Sequence, residues 1–294
     1  MRYTQDVRTA RYAMERSRIL MEALPWMKRV TGKTVVIKYG GSAMEDDDLL
    51  AEVVGDIVML KIMGVHPVVV HGGGKAVTAA MKAADIPVEF RDGLRVTTPE
   101  AMDIVRQVLV GTSNARLVQA FNQHGDYAVG ISGMDANVVV GEPMSPELGR
   151  VGRVTKVNGD FIQSVVADDW IPVLSSIASD GEGGCLNVNA DMVAGAVAIA
   201  LGAEKLIYIT DVDGVYEDFS DKSTMISNMT AAEARELVAS GKMDAGMIPK
   251  LTSCAEALEA GVERCHVICG LRPHAIIAEM LTDKGVGTLI VRDE

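Results

Sequence analysis

Between residues 34 and 84 the spacing of apolar positions changes period several times. "TVVIK" (34–38) is a short β-branched run that ends at a glycine pair. The next stretch, "EDDDLLAEVVGDIVMLKIMGV", sets Leu49, Leu50, Val53, Val54, Ile57 and Leu60 on one helical stripe. Acidic residues crowd its start and Gly64 offers a stop. A strand at 68–70 then runs into "HGGG" (71–74), and a second helical pattern passes through Val77, Ala80, Met81 and Ala84. The alternation continues, with strands expected at 127–131, 137–140, 171–174 and 206–210, and helices at 190–202, 231–240 and 250–260. Thr97 with Glu100 and Thr230 with Glu233 have capping-box spacing, Pro99 sits near a first helical position, and Gly241 and Gly261 read as stops. Upstream, residues 6–24 place Ala10, Ala13, Met14, Leu20 and Leu24 in helical register, and Pro25 is expected to end that helix.

Strands alternating with helices predict an α/β fold, a largely parallel sheet covered on both faces. Ligands of such sheets bind at the carboxyl ends of the strands, where both glycine turns belong. Residues 141–160 read as a loop or hairpin excursion, and the break near 178–186 ("ASDGEGG") as a boundary between lobes.

Composition narrows the partners. Of 294 residues, 48% are apolar and 23% charged, the profile of a soluble globular chain. Aromatics reach only 4% and the formal charge is −12, which argues against a nucleic-acid partner. The longest apolar run, Met192 to Ala203, is too short to span a bilayer and reads as a buried helix. The N-terminus has no uninterrupted apolar core of a secretory signal, so the cytoplasm is the expected location. Cys185, Cys254, Cys265 and Cys269 suggest no disulfide framework. "CHVIC" (265–269) is followed by no second ligand pair, so no protein-bound metal is expected. Charge is uneven: residues 1–33 hold eight Lys/Arg against three Asp/Glu, fitting either a solvated basic helix or an arm that docks on an acidic neighbour.

A glycine turn between a strand and a helix lets backbone N–H groups converge on an anion, with the helix N-terminus adding a favourable dipole. Two such turns, each with a nearby Lys, point to phosphate or carboxylate binding. They are not the common phosphate motifs. "TGKT" (31–34) precedes its strand and has Met27 where a P-loop needs glycine. "HGGGK" lacks the last glycine of a dinucleotide fingerprint, having Val77 there.

Six segments in order, "VIKYGGSAM", "VVVHGGG", "DGLRVT", "NVNADMVAG", "GMIPK" and "GVGTLI", resemble the amino acid kinase family. The likeness is specifically to members that phosphorylate N-acetyl-L-glutamate, and it runs from about Ala23 to Val291. The resemblance implies a three-layer αβα sandwich with a central, mainly parallel sheet, preceded by an N-terminal helix (1–30). An N-terminal lobe (31–184) would bind the acyl amino acid, and a C-terminal lobe (185–294) would bind ATP. The implied reaction moves the γ-phosphoryl of MgATP to the side-chain carboxylate of N-acetyl-L-glutamate, the second step of arginine biosynthesis. A carboxylate is already ionised at neutral pH, so the acceptor needs no general base, only alignment and charge neutralisation.

By the same resemblance, Lys38 and Lys250 reach the phosphates from the two lobes and Asp191 orients both. Gly41, Gly73 and Gly74 bring N–H groups to the transferring phosphoryl and the acceptor, Gly40 and Gly41 lying on the ATP side and Gly73 and Gly74 on the substrate side. Arg95 clamps the substrate's α-carboxylate, Asn187 binds the same end, and Asp211 contacts nucleotide. Mg²⁺ would stay on ATP oxygens and water rather than on protein ligands. In arginine-inhibited members an N-terminal helix links dimers into a hexameric ring, and "MEALPWMKRVTGKT" (21–34) resembles its end. Trp26, Lys205, Glu279, Gly285 and Gly287 match positions around L-arginine there. Cys269 and Leu271 depart from the Asp and Arg usual in "HVICGLRPH". The same segments also fit a kinase for a related acceptor such as N-acetyl-aminoadipate, or an inactive sensor on the same fold.

Overall fold

Val35, Ile37 and Tyr39 alternate with Val36 along the first strand, and all four are fully buried, so this strand is covered on two sides. The computed structural model describes residues 7–283 and 285–293; the first six residues of the expected N-terminal segment lie outside it. The chain begins with α1 (Val7–Val30), β1 (Thr34–Tyr39), α2 (Asp47–Ile62), β2 (His66–His71), α3 (Gly74–Ala83), and the short β3 (Phe90–Arg91) and β4 (Leu94–Arg95). Next come α4 (Pro99–Arg106), a π-helical stretch (Gln107–Asn114), α5 (Ala115–Asn122), β5 (Ala128–Ser132), β6 (Val139–Pro143), β7 (Val151–Val157) and α6 (Gly159–Ala167). β8 (Ile171–Ser175), β9 (Ile177–Ser179), β10 (Cys185–Val188), α7 (Ala190–Leu201), β11 (Lys205–Thr210), β12 (Val215–Tyr216), β13 (Met225–Ile226) and β14 (Asn228–Thr230) follow. The chain closes with α8 (Ala231–Ala239), α9 (Ile248–Glu259), β15 (Arg264–Cys269), α10 (Ala275–Leu281) and β16 (Thr288–Val291).

Eight strands form one sheet in the order β14-β16-β15-β11-β1-β2-β8-β5, parallel except where β15 meets β16. Val36, Val68, Leu174, Leu206 and Tyr208 face α7 and α9 on one side. Val35, Ile37, Val69, Ile207 and Ile209 face α2, α5 and α10 on the other. Each such aliphatic side chain contributes about 1.5–3 kcal/mol through burial, so the sheet is the rigid part of the molecule. Strands β6, β7, β9 and β10 close into a small barrel of their own, which accounts for the excursion expected at 141–160.

The structure corrects two readings. α1 does not stop at Pro25 but continues to Val30. Ala23, Trp26, Met27 and Val30 pack onto the core, and that packing outweighs the hydrogen bond proline cannot make. At α4 the N-cap is Thr98 rather than Thr97, its hydroxyl accepting the Ala101 N–H. Thr97 is instead buried, its hydroxyl donating to the Arg95 carbonyl at 2.8 Å. The Thr230–Glu233 capping box forms as expected. Among the described residues no helix is long and apolar enough to cross a membrane.

Candidate active site

β11, β1, β2 and β8 are neighbours in the sheet, and their carboxyl ends bring Asp211, Lys38, the 72–74 glycines and Ser176 to one edge. A cleft of about 230 Å³ opens there, lined by both glycine turns together with Lys38, Arg95, Asn187 and Asp191. Beside it lies a second cavity of about 290 Å³, lined among others by Thr210, Gly214, Tyr216, Phe219, Lys242 and Lys250.

Asp191 joins the two. Asn189 caps α7, its side-chain oxygen accepting the Asp191 N–H at 2.8 Å, which fixes the aspartate at the helix start. Tyr208 and Ser253 donate their hydroxyls to the Asp191 carbonyl. Its carboxylate then meets Lys38 Nζ at 2.9 Å through Oδ1 and Lys250 Nζ at 2.9 Å through Oδ2. Lys250 Nζ also donates to the Gly246 carbonyl at 2.9 Å. Burial alone would raise the Asp191 pKa; the charges and hydrogen bonds of the two lysines more than offset it and hold the carboxyl below its ordinary range. The result is one buried anion holding two cations from β1 and α9.

The glycines have concrete work. Gly41 has φ +81°, and a Cβ there would stand 2.4 Å from Asp211 Oδ1. That close approach lets the Ser42 N–H donate to both Asp211 oxygens, at 2.9 and 3.1 Å. Asp211 therefore ties the end of β11 to the β1 glycine turn, while the residue itself remains exposed. A Cβ on Gly73 would lie 2.7 Å from Leu109 and 3.0 Å from the Ser113 hydroxyl, so the π-helical stretch packs directly against this turn.

Arg95 is buried at the other end of the cleft. Its guanidinium donates to the Gly74 carbonyl at 2.9 Å and the Thr78 hydroxyl at 2.7 Å, and stacks over the Phe90 ring at 4.7 Å. Burial lowers its pKa, yet a guanidinium remains charged at any physiological pH. The Asn187 amide donates to the Thr97 hydroxyl at 3.0 Å, so Asn187, Thr97 and Arg95 form one chain of contacts. Among the described residues no group of three or more His, Cys, Asp or Glu is arranged to hold a metal ion.

The site also includes residues outside those motif assignments: Asn189, Tyr208, Ser253 and Asn114. Asn189 could have been found as a helix cap before an apolar run. Tyr208, Ser253 and Asn114 could not, because their partners are fixed only by strand order and packing.

A second cluster gathers residues of the expected arginine site. Lys205 Nζ lies 3.4 Å from His266 Nε2, and His266 Nδ1 lies 2.7 Å from Glu279 Oε1. The Val286 and Gly287 N–H groups donate to Glu279 Oε2 at 2.7 and 3.3 Å, and a Cβ on Gly285 would stand 2.7 Å from the same oxygen. Burial pushes the Lys205 ammonium down to about 8. Trp26 belongs to α1, which packs against α10, the helix bearing Glu279; the indole is stacked by Arg29 at 4.8 Å. Cys269 is buried at the end of β15 and Leu271 is 42% exposed. Arg272 pairs with Asp213 at 2.9 Å.

An αβα sandwich with a doubly lysine-paired aspartate at the strand ends defines a class, and comparison with known proteins agrees: residues 33–269 match the amino acid kinase family, to which the chain belongs. Within it, the chain is 46% identical to the acetylglutamate kinase of Arthrobacter sp. (strain FB24), over 99% of this chain and 97% of that one. It is 44% identical to the acetylglutamate kinase of Halothermothrix orenii, over 95% and 98% respectively. In three dimensions it superposes on the N-acetylglutamate synthase of Neisseria gonorrhoeae, solved with coenzyme A and N-acetyl-glutamate, with a TM-score of 0.84 at 23% identity. That match covers 95% of this chain and 64% of the synthase, and it shows a common fold.

Proposed function

We propose that this chain is an ATP-dependent kinase that phosphorylates the side-chain carboxylate of N-acetyl-L-glutamate, giving N-acetyl-L-glutamyl 5-phosphate for arginine biosynthesis. The observation that carries the reading is the Asp191 carboxylate, held 2.9 Å from both Lys38 and Lys250 between two cavities. One cavity contains the buried Arg95, suited to an α-carboxylate. The other offers Tyr216, Phe219 and Lys242 to a nucleotide. The acceptor carboxylate oxygen forms a bond to the γ-phosphorus while the bond to the departing ADP oxygen breaks, and no proton moves. Lys38 and Lys250 neutralise charge on the phosphoryl oxygens, Asp191 keeps both ammonium groups aimed, and the amides of Gly40, Gly41, Gly73 and Gly74 receive the reacting oxygens. Asn187 supports the acceptor end. Asp211 holds the Ser42 N–H and so shapes the β1 turn, and its remaining acceptor capacity faces the nucleotide side. Mg²⁺ would be held mainly by ATP oxygens and water, adding charge neutralisation at the phosphates without a protein ligand.

The cluster of Lys205, Glu279, Gly285 and Gly287, with Trp26 on the neighbouring helix, is the place where L-arginine acts as inhibitor, its guanidinium facing Glu279. α1 carries the contacts that assemble dimers into a hexamer, and residues 31–184 and 185–294 serve as the acceptor and nucleotide lobes. The test is hydroxylamine trapping of the acyl phosphate from ATP and N-acetyl-L-glutamate, with and without arginine. Hydroxamate that arginine suppresses supports both readings. Hydroxamate indifferent to arginine removes the regulatory one. Hydroxamate formed only from N-acetyl-aminoadipate reassigns the acceptor, and none from either leaves a sensor.

A further inference from the structure

His71 ends β2 and is fully buried, one residue before the glycines that line the cleft. Its Nδ1 lies 2.8 Å from the Gly72 carbonyl oxygen, and its Nε2 lies 3.0 Å from the Asn114 amide nitrogen. That same nitrogen of Asn114 also donates to the Val173 carbonyl at 2.8 Å. A carbonyl can only accept, so Val173 fixes which end of the Asn114 amide faces inward, and Asn114 must donate to His71. Nε2 is then the acceptor and Nδ1 bears the proton that goes to Gly72. Burial, together with the nearby Lys38 charge, pulls the ring down to about 4 against the opposing pull of the Gly72 bond, so it stays neutral near pH 7.

The Gly72 carbonyl and the Gly73 N–H belong to one planar trans peptide unit and point in opposite directions. Drawing the carbonyl toward buried His71 turns the Gly73 N–H the other way. We infer that His71, locked by Asn114 in the Nδ1–H tautomer, is a positioning residue that aims the Gly73 N–H into the cleft at the reacting oxygens. This rests on the kinase reading of the site. The π-helical stretch supplies both constraints: Asn114 sets the tautomer, while Leu109 and Ser113 close the space against Gly73. The bond from the Gly72 N–H to the Tyr39 carbonyl, at 3.3 Å, couples this peptide to the end of β1 and so to the other glycine turn.

Two measurements test it. ¹⁵N NMR of the unmodified protein should show His71 protonated at Nδ1 and bare at Nε2; an Nε2-protonated ring overturns the inference. His71→Asn places an amide where Nδ1 was and keeps a donor for Gly72, whereas His71→Gln places its amide near Nε2 and leaves Gly72 unpaired. With both variants shown folded by circular dichroism, Gln should lower kcat about 100-fold with little change in either KM, the cost of losing one oxyanion donor. Asn should stay within about tenfold of the parent. Equal kcat for the two variants, or a loss confined to KM, overturns the positioning role. If the Gln variant does not fold, the tautomer of the unmodified protein decides. An unmodified protein that makes no acyl phosphate yet shows Nδ1-protonated His71 would sink the kinase reading and leave the peptide geometry intact.

Discussion

Lys250 Nζ stands 2.9 Å from Asp191 Oδ2, although 59 residues separate them along the chain. The contact is buried, and the other carboxylate oxygen is already paired with Lys38. An ion pair sealed from solvent is weak evidence of stability, because desolvation cancels much of the attraction. Its value here is positional: two flexible lysine stems acquire one shared aim point at the boundary between two cavities.

Replacing Asp191 by Asn should therefore cost activity first. The expected outcome is a fall in kcat of about 10²–10³-fold with KM values for both substrates nearly unchanged, as for loss of a preorganised electrostatic element. Two ammonium groups left without their counter-ion should also destabilise the fold by roughly 3 kcal/mol. Steady-state kinetics and a urea melt read the two effects separately. A variant with normal kcat and a raised KM would mean that Asp191 belongs to ground-state binding instead.

Arg95 predicts the opposite kinetic signature. Removing a charged hydrogen-bond partner of a carboxylate costs about 1.5–3 kcal/mol. Arg95→Ala should thus raise KM for N-acetyl-L-glutamate about 10–100-fold, with a smaller effect on kcat. Arg95→Lys should not restore it, since an ammonium that takes over the Gly74 and Thr78 contacts has no second arm left for a carboxylate. Full rescue by Lys would show that only charge is needed.

The sequence discloses both sites in part. The strand-to-glycine turns, the apolar stripe of α2 and the buried run of α7 follow from local spacing, which is why the sheet-and-helix order was legible. Lys38, Asp191, Arg95 and Lys250 were recognisable through their motifs, and all fall on or beside the clefts. What local pattern could not supply was contact across strands. Asn114 and His71 are 43 residues apart and meet only because β5, β8 and β2 lie side by side. Thr97 looked like a cap, but the Arg95 carbonyl and Asn187 take its hydroxyl, leaving the cap to Thr98. Pro25 looked like a terminator, but packing on either side of it overrides local propensity.

Acid should destabilise the protein through His71. Its folded pKa is about 4, below the usual 6.5 of the unfolded chain. Between pH 6.5 and 4 the unfolded state binds a proton the folded state refuses, so stability falls as pH drops through that window. The full effect is on the order of 3 kcal/mol. His266, also lowered by burial, acts in the same direction. His274, raised by its hydrogen bond to Asp56, acts oppositely: its contribution is present below about pH 6.5 and is lost as pH rises through its folded pKa. Urea melts from pH 4 to 7 on the parent and on His71→Asn isolate the first contribution, because the other two are common to both. The variant should show the shallower dependence; parallel curves would contradict a neutral buried His71.

The last prediction concerns α1. Its final turns pack on the core, but Met14, Ile19, Leu20 and Met21 are 60–74% exposed, an apolar concentration that a lone surface helix has no reason to keep. Among the described residues, none that lines the cleft around Lys38 and Asp191 comes from this helix. Deleting residues 1–22 removes the exposed part and leaves Trp26 and the packed turns in place. If α1 assembles dimers into a hexamer, sedimentation velocity should show the truncated protein falling to dimer size. Its kcat should hold within about twofold, as expected for distant, independent sites, while inhibition by arginine weakens. Leu20→Glu should move assembly the same way by putting a charge into the contact, without shortening the chain. An unchanged sedimentation coefficient for the point variant would leave the apolar face without a partner in the homo-oligomer. A truncated protein that stays hexameric and remains fully arginine-sensitive would remove α1 from both roles.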